Sequence, residues 1–236
     1  MVFYIDDLYR VVCNIRIPIA SNEEIGTAIF VIKGNMAYII TAAHVVKNLN
    51  AAAYVIISDN NGNPLRVPLS TLLQGANFEN HPEADLAKAR ININYFNKHL
   101  LENRFFPFEQ INTSTNLISK DTLLTTVGFP LGLGTAGLKF SPLTYRTHVS
   151  AAAITLNRFD IKDRAVPNNF VILESPSIGG YSGGPVFDLG YKVDGLLTQN
   201  TGRTILHGIV HGTLSDPTGG KLAAITPLNY LNGWLN

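Results

Sequence analysis

Cysteine is nearly absent from the sequence: Cys13 is the single example among 236 residues. One cysteine excludes an intramolecular disulfide and a cysteine-based metal site. Its apolar neighbours in the segment VVCNI are typical of a small buried hydrophobic residue. The lack of a disulfide framework also removes one common mark of secretion.

Charge is scarce as well, and its two signs balance. Charged residues make up 15% of the chain, and the formal net charge is +1. This low fraction argues against a disordered tail or a coiled coil. Because there is no strong field and no run of Lys and Arg, nothing would attract nucleic acid or an anionic membrane surface. We therefore expect neither as a partner.

Long hydrophobic runs are missing too. No apolar stretch approaches the roughly 20 residues that a membrane-spanning helix needs. The N-terminal segment MVFYIDDLYR lacks the basic start, apolar core and cleavage site of a signal peptide, and Asp6 and Asp7 stand where such a core would lie. We expect a cytoplasmic chain, unless a signal has been removed from it.

Short β-type runs separated by turn residues dominate the sequence. Residues 33–35 and 61–63 are typical of hairpin turns because each has a central glycine beside asparagine. Helix signals are limited to residues 41–48, residues 95–103 and the C-terminal segment PLNYLNGWLN. Many short strands at regular spacing predict an all-β barrel or sandwich instead of a parallel sheet with crossover helices.

The most informative segment is GGYSGGPVF, residues 179–187. Glycines around Ser182 let the backbone adopt positive φ and let another segment approach closely. Attack on an amide needs an exposed hydroxyl and backbone N–H groups aimed at the developing oxyanion. A tight glycine turn supplies both, and the N–H groups of Gly180 and Ser182 would be the donors.

Two other interpretations fit this segment. In the first, Ser182 is only a turn residue of a glycine-rich hairpin. The second is the nucleophile elbow of α/β-hydrolases, since residues 180–184 also match GxSxG. That elbow needs a helix after the serine. Here Pro185 and a β-type run follow, so we reject the elbow.

A serine nucleophile needs a neighbouring base, and histidine has the appropriate pKa. Of six histidines, His44 is the best candidate because it follows an apolar strand in the segment IITAAHVV. Ala42 and Ala43 leave room around an imidazole that must touch both serine and substrate. A histidine in apolar surroundings is more often structural, but the neighbouring motifs favour the base.

The base needs a carboxylate on its other ring nitrogen, which fixes the tautomer and stabilises the imidazolium. Asp85, in the segment HPEADLAKARI, stands at the entry to an apolar strand. A carboxylate there can be partly buried and still point towards a neighbouring lobe. A strand or turn cap is its alternative role, and Glu83 is the main substitute as the acid.

Three motifs thus stand in one chain order: TAAH at His44, DLA at Asp85 and GxSGGP at Ser182. Together they resemble the trypsin-like, chymotrypsin-fold serine peptidases over roughly residues 25–235. The order His, Asp, Ser differs from that of hydrolases with an elbow, which is Ser, acid, His.

The resemblance implies two six-stranded antiparallel β-barrels, with the active site in the cleft between them, and a short C-terminal helix. The first barrel would cover about residues 1–115 and the second about 116–236 of a single peptidase domain. It further implies hydrolysis of polypeptide bonds through an acyl-enzyme on Ser182. No metal ion or organic cofactor is needed for this chemistry.

Two positions depart from the digestive members of the family. Tyr181 stands where they carry the aspartate that pairs with a new N-terminus, so we expect no activation by zymogen cleavage. Pro176, six residues before the serine, stands in place of an acid at the pocket floor. A preference for Lys or Arg is therefore not expected.

His211 and Thr213 follow the segment GIV, where the family builds its specificity wall. A histidine there would favour an acidic substrate residue, or it would only pack against the triad. If the alignment of this wall shifts, residues 195–199 take its place and Thr198 lines the pocket.

A degenerate, non-catalytic member acting as a protein-binding module is the alternative function. The sequence carries no signal for a particular oligomeric state.

Overall fold

The structure is a computed structural model that describes residues 1–75, 77–159, 164–194, 197–215, 217–219 and 221–235. Strands dominate it, and almost all of them pair antiparallel in two main sheets. The predicted all-β class is therefore confirmed.

The first sheet has eight strands and is built from the N-terminal part of the chain. They are β1 (Val12–Ile19), β2 (Asn22–Lys33), β3 (Met36–Thr41), β4 (Tyr54–Ser58), β5 (Pro64–Pro68), β6 (Glu79–Asn80), β7 (Ala87–Arg90) and β8 (Phe106–Pro107). Their order is β5-β4-β1-β2-β3-β7-β6, and β8 adds to β2 as the one parallel pair. Branched residues such as Ile15, Ile29 and Ile39 are buried in the core beneath this sheet, as expected for β-branched side chains on a pleated surface.

The C-terminal part of the chain forms a seven-stranded sheet and a separate two-stranded ribbon. Its strands are β9 (Leu124–Gly128), β10 (Leu143–Thr147), β11 (Val149–Phe159), β12 (Ala165–Leu173), β13 (Pro185–Asp188), β14 (Tyr191–Asp194), β15 (Leu197–Asn200), β16 (Ile205–Ser215) and β17 (Lys221–Pro227). The sheet order is β10-β9-β13-β16-β17-β12-β11, and β14 pairs with β15 in the ribbon.

The strand count differs from the expected pair of six-stranded barrels. The two sheets have eight and seven strands, and neither is a closed barrel. Short edge strands such as β6 and β8 pair over only two residues, so local sequence pattern does not reveal them. Both predicted hairpin turns are confirmed: Gly34 and Gly62 have φ of 56° and 77°. The boundary near residue 115 falls between β8 and β9 and stays a prediction.

Helices are short. The N-terminal α1 (Ile5–Val11) was not expected, and α2 (Lys98–Leu101) lies within the predicted segment 95–103. The expected C-terminal helix is instead a 3₁₀ turn at Leu228–Leu231. Other 3₁₀ turns are Ala43–Val46, Leu69–Thr71, Phe108–Gln110 and Pro130–Gly132. Among the described residues, no helix is long and apolar enough to cross a membrane.

Aromatic contacts join the two sheets into one core. The rings of Phe106 on β8 and Phe187 on β13 lie 5.3 Å apart, and both side chains are fully buried. We call the eight-stranded sheet with its loops the first lobe and the seven-stranded sheet with its loops the second lobe. The main hydrophobic cluster accordingly contains residues of both lobes. This shared core fixes the position of the loops that meet at the edge between the sheets.

Candidate active site

His44 lies just after β3, in the 3₁₀ turn Ala43–Val46. Ala42 and Ala43 are buried beneath it, whereas the imidazole itself is 40% exposed. The small neighbours therefore leave the ring open to the solvent side, as a base that meets a substrate requires.

Asp85 lies in the loop between β6 and β7, and its side chain is almost completely buried. Its Oδ2 atom is 2.7 Å from Nδ1 of His44, and its Oδ1 atom accepts the His44 backbone N–H at 3.1 Å. These two bonds fix both the position and the ring orientation of the histidine. The other acid considered, Glu83, is exposed.

The two side chains shift each other's pKa in opposite directions. Burial by itself would raise the pKa of Asp85, but hydrogen bonds from His211 and His44 hold it well below its usual range. Partial burial acts to lower the pKa of His44, but the hydrogen bond and charge of Asp85, together with the charge of Glu24, raise it above its ordinary value near 6.5. Asp85 is thus an ionised acceptor that stabilises the imidazolium.

The turn that carries Ser182 accepts only glycine at two positions. Gly180 has φ of 101°, and a Cβ atom there would meet the Phe129 carbonyl oxygen at 2.3 Å. Gly183 has φ of 83°, and its Cβ would lie 2.1 Å from the Thr27 carbonyl oxygen. The close approach expected from the sequence is therefore present.

Backbone hydrogen bonds orient the peptides on either side of the serine. The Leu131 N–H donates to the Gly179 carbonyl at 2.7 Å, and the Gly184 N–H donates to the Tyr181 carbonyl at 2.8 Å. Because a trans peptide points its C=O and N–H in opposite directions, the N–H groups of Gly180 and Ser182 point away from those two bonds. Neither donates a hydrogen bond within the described chain, so both are available to an oxyanion.

Thr27 on β2 ties the first lobe to this turn, and the sequence reasoning did not identify it. Its N–H donates to the Ser182 carbonyl at 2.8 Å, and its hydroxyl donates to the Gly180 carbonyl at 2.7 Å. The same hydroxyl accepts the Phe129 N–H at 3.2 Å. The side chain is fully buried. A polar residue inside the apolar run GTAIFVI was the one signal available in the sequence.

The Ser182 hydroxyl donates to the backbone carbonyl of His211, at 3.1 Å. In the part of the chain that the structure describes, it makes no hydrogen bond to His44. The structure therefore brings His44 and Asp85 into direct contact, whereas the expected third member is turned towards β16.

The expected pocket residues lie in different surroundings. Pro176 is exposed beside a cavity of about 10 Å³, which is room for about one water molecule. Thr213 is exposed on β16, and its hydroxyl donates to the Ser177 carbonyl at 2.7 Å. The His211 side chain bonds to Asp85, which favours packing against the triad over lining a pocket. Of the alternative wall, residues 195 and 196 lie outside the described residues, and Thr198 is exposed on β15.

Tyr181, in place of the family's aspartate, is 1% exposed and packs against Tyr145 with ring centroids 5.5 Å apart. Burial raises the pKa of its hydroxyl, so this side chain is neutral. It cannot form the ion pair that the digestive members use.

Three potential metal ligands cluster here: the nearest ligand atoms of His44, Asp85 and His211 lie within 4.8 Å of one another. Both Nδ1 atoms, however, approach one carboxylate oxygen to 2.7 Å and 2.5 Å. Ligands around a tetrahedral zinc ion, with bonds of about 2.0–2.1 Å, lie about 3.3 Å apart. The arrangement fits protons shared with Asp85 better than it fits a metal ion.

Sequence comparison identifies the class of protein that this fold and site belong to. The family described as trypsin-like peptidase domain matches residues 26–196, so the chain belongs to that family. The match covers β2 through β14, including the segments that carry His44, Asp85 and Ser182. No curated protein sequence matches the chain.

Solved structures support the same fold. The Rv3671c protease from M. tuberculosis in its active form has a TM-score of 0.64 and 19% identity, covering 98% of this chain and 82% of that one. The MamO protease domain from Magnetospirillum magneticum has a TM-score of 0.61 and 17% identity, covering 98% of each chain. A serine endoprotease from Yersinia pestis has a TM-score of 0.56 and 18% identity. It matches all of this chain, which spans 66% of the Yersinia chain. At these identities the similarity is one of fold.

Proposed function

We propose that this trypsin-like peptidase is a serine endopeptidase in which Ser182 is the nucleophile, His44 the general base and Asp85 the residue that orients His44. The observation that carries the proposal is the buried Asp85 carboxylate, bonded to His44 both at Nδ1 and at the backbone N–H. Bonded in this way, His44 keeps a proton on Nδ1 and presents Nε2 as the acceptor.

The first step requires the Ser182 hydroxyl to turn from the His211 carbonyl to His44 Nε2. Such side-chain rotations take place within picoseconds to nanoseconds, and catalytic hydrogen bonds are often incomplete without substrate. His44 then removes the hydroxyl proton as the serine oxygen bonds to the substrate carbonyl carbon. The carbonyl oxygen becomes an anion, which the N–H groups of Gly180 and Ser182 stabilise.

The tetrahedral species collapses when His44 returns the proton to the leaving amine, and an ester on Ser182 remains. Water then attacks the ester, with His44 again removing and returning one proton. The products are a carboxylic acid and free Ser182. The substrate is a polypeptide. Pro176 and Thr213 line the cleaved side chain's pocket, and His211, bound to Asp85, is not free to select acidic residues.

A peptide library tests this function. Wild-type protein should cleave internal bonds, with cleavage sites read by mass spectrometry, while Ser182→Ala protein of unchanged fold should cleave none. Equal cleavage by both proteins would show that a contaminating peptidase, not this chain, acts on the library.

The Ser182–His211 bond also favours a second candidate function, a binding module whose serine does not react. Three results together would support that function: folded wild-type protein retains library peptides in a pull-down, it cleaves none of them, and it behaves like the Ser182→Ala protein.

A further inference from the structure

His211 occupies an irregular point of β16. Val210 pairs with Ile225 and Gly212 pairs with Ala224, so His211 is the extra residue of a β-bulge. A bulge re-aims a side chain out of the regular alternation of a strand. Here it turns the imidazole towards the first lobe, where Nδ1 lies 2.5 Å from Asp85 Oδ2.

Packing holds the His211 ring in this position. Its centroid is 4.7 Å from that of Phe170 on β12, and the His44 ring stands edge-on to it at 5.4 Å and 81°. The side chain is 28% exposed. The ring is thus enclosed between a buried aromatic residue and the base.

We propose that His211 is a positioning residue, whose Nδ1–H holds the Asp85 carboxylate in the orientation that His44 needs. The inference rests on the proposed function, in which Asp85 orients the base. His211 joins the two ends of the site, because its side chain bonds to Asp85 while its backbone carbonyl receives the Ser182 hydroxyl.

His211 adds a third hydrogen bond to the two that already join the carboxylate to His44. Oδ1 accepts the His44 backbone N–H, and Oδ2 accepts Nδ1–H groups from both His44 and His211. Without His211, one lone pair of a buried carboxylate loses its donor. The carboxylate can then turn about its Cβ–Cγ bond, and His44 loses its fixed orientation.

The bond also affects proton affinity at the base. Titratable groups facing His44 are Asp85 from the loop before β7, Glu24 from β2 and His211 from β16. Phe170 from β12 faces the His211 ring and carries no charge. A donor on Oδ2 withdraws negative charge from Asp85, so removal of His211 should raise the pKa of His44. Since activity requires neutral His44, the acidic limb of kcat/KM should move to higher pH.

Three substitutions separate positioning from packing. His211→Asn keeps an N–H at the place of Nδ1, His211→Gln moves the donor one bond further out, and His211→Leu removes it. We expect His211→Leu and His211→Gln to lower kcat about ten- to a hundred-fold with KM changed little, as for loss of one charge-assisted hydrogen bond. The kcat of His211→Asn should stay within about threefold of wild type. The control is His99→Gln, a change at an exposed histidine remote from the site, and its kcat should stay in the same range.

The alternative role of His211, recognition of an acidic substrate side chain, predicts a different result. All three variants would then raise KM for substrates with Glu at the cleaved position and leave other substrates unaffected. That pattern would overturn the proposal. Equal kcat values for the His211→Asn, His211→Gln and His211→Leu proteins would also overturn it.

A histidine titration followed by NMR makes the test independent of turnover. In ¹⁵N-histidine-labelled protein, we expect the His44 pKa to rise in His211→Gln and to stay near the wild-type value in His211→Asn. An unchanged His44 titration in the Gln protein would overturn the inference. If wild-type protein hydrolyses nothing, the proposed function fails, and this titration still decides whether His211 supports Asp85. If the Leu variant does not fold, the Asn and Gln pair carries the comparison.

Discussion

At the scale of single residues, the site depends on one buried carboxylate that accepts three N–H groups, two from His44 and one from His211. This accounts for the low pKa of Asp85 in spite of its burial. In the proposed function the same carboxylate keeps the proton of His44 on Nδ1 and leaves Nε2 to act as the base.

The substitution Asp85→Asn tests whether the carboxylate orients His44. An amide in place of the carboxylate can donate to Nδ1 and so stabilises the wrong tautomer of His44. We expect kcat to fall by about four orders of magnitude, measured on the best library peptide. Glu83→Gln is the matched control because Glu83 is exposed two residues away, and it should keep wild-type turnover. Near-normal turnover of the Asp85→Asn protein would show that another acid orients His44.

The pH dependence of kcat/KM follows from the raised pKa of His44. Protonated His44 cannot accept the serine proton, so activity is low below the pKa of His44 and rises above it. Because the pKa of His44 lies above 6.5, the midpoint of the rise should also lie above pH 6.5. A pH–rate profile on a non-ionising substrate measures it, and a midpoint well below 6.5 would contradict the assigned base.

The contact between His44 and Asp85 could be predicted from the sequence, but the bond from His211 to Asp85 could not. His44, Asp85 and Ser182 stand in short motifs whose chemistry is local: small residues before the base, glycines around the nucleophile. The bond between His211 and Asp85 joins residues 126 positions apart and depends on a β-bulge. Bulges have no firm sequence signature, so the role of His211 was left open between pocket wall and packing.

At the scale of the elements, β2 organises the nucleophile turn. Its Thr27 bonds to the carbonyls of Gly180 and Ser182, although it belongs to the other lobe. The signal for this was weak, because a single threonine in a strand is ordinary. Strand positions were largely predictable from β-branched runs and turn glycines, whereas strand pairing and the two-residue edge strands were not.

Thr27→Val should therefore affect catalysis from outside the triad. Valine keeps the shape but removes the hydroxyl that holds the Gly180 carbonyl and receives the Phe129 N–H. We expect about a ten- to hundredfold lower kcat, because the glycine turn that presents the N–H groups of Gly180 and Ser182 loses one of its bonds to β2. The free energy of unfolding, measured by urea titration, should fall by about 1–3 kcal/mol.

Thr27→Ser keeps the hydroxyl and is the control for this change. Its kcat should stay close to that of wild type. If the Val and Ser proteins lose kcat equally, packing of the γ-methyl group matters at this position and the hydroxyl does not.

Helices were the least predictable elements. α1 was missed because its segment is short, and its Leu8 and Val11 gain stability only by burial against the folded sheet. The C-terminal segment was expected to be helical from its apolar spacing. Pro227 before it and Gly233 at φ of 72° after it limit it to one 3₁₀ turn.

At the scale of the whole molecule, the C-terminal tail returns from the second lobe to the first. The Trp234 indole N–H donates to Glu79 on β6 at 2.7 Å, and the ring packs edge-on against His81 at 4.9 Å. The Lys88 ammonium lies 4.6 Å above the same ring. With the shared core, these contacts join the two lobes.

Trp234→Ala should lower the free energy of unfolding by about 1–3 kcal/mol, because it removes a half-buried ring with both its polar and its aromatic contacts. Urea titrations followed by far-UV circular dichroism measure the change. The control is Phe96→Ala, a ring that is 83% exposed and should contribute little. Equal stability of the Trp234→Ala and wild-type proteins would show that the tail does not hold the lobes together.

Covalent labelling measures whether His44 activates Ser182 as a nucleophile, as we propose. A fluorophosphonate probe reacts with an activated serine hydroxyl, and peptide mapping by mass spectrometry identifies the modified residue. We expect one label per chain, on Ser182; it should be lost in Ser182→Ala and strongly slowed in His44→Ala. Two results would contradict this activation. One is well-folded wild-type protein that takes up no probe, and the other is His44→Ala protein that takes up the probe as fast as wild type.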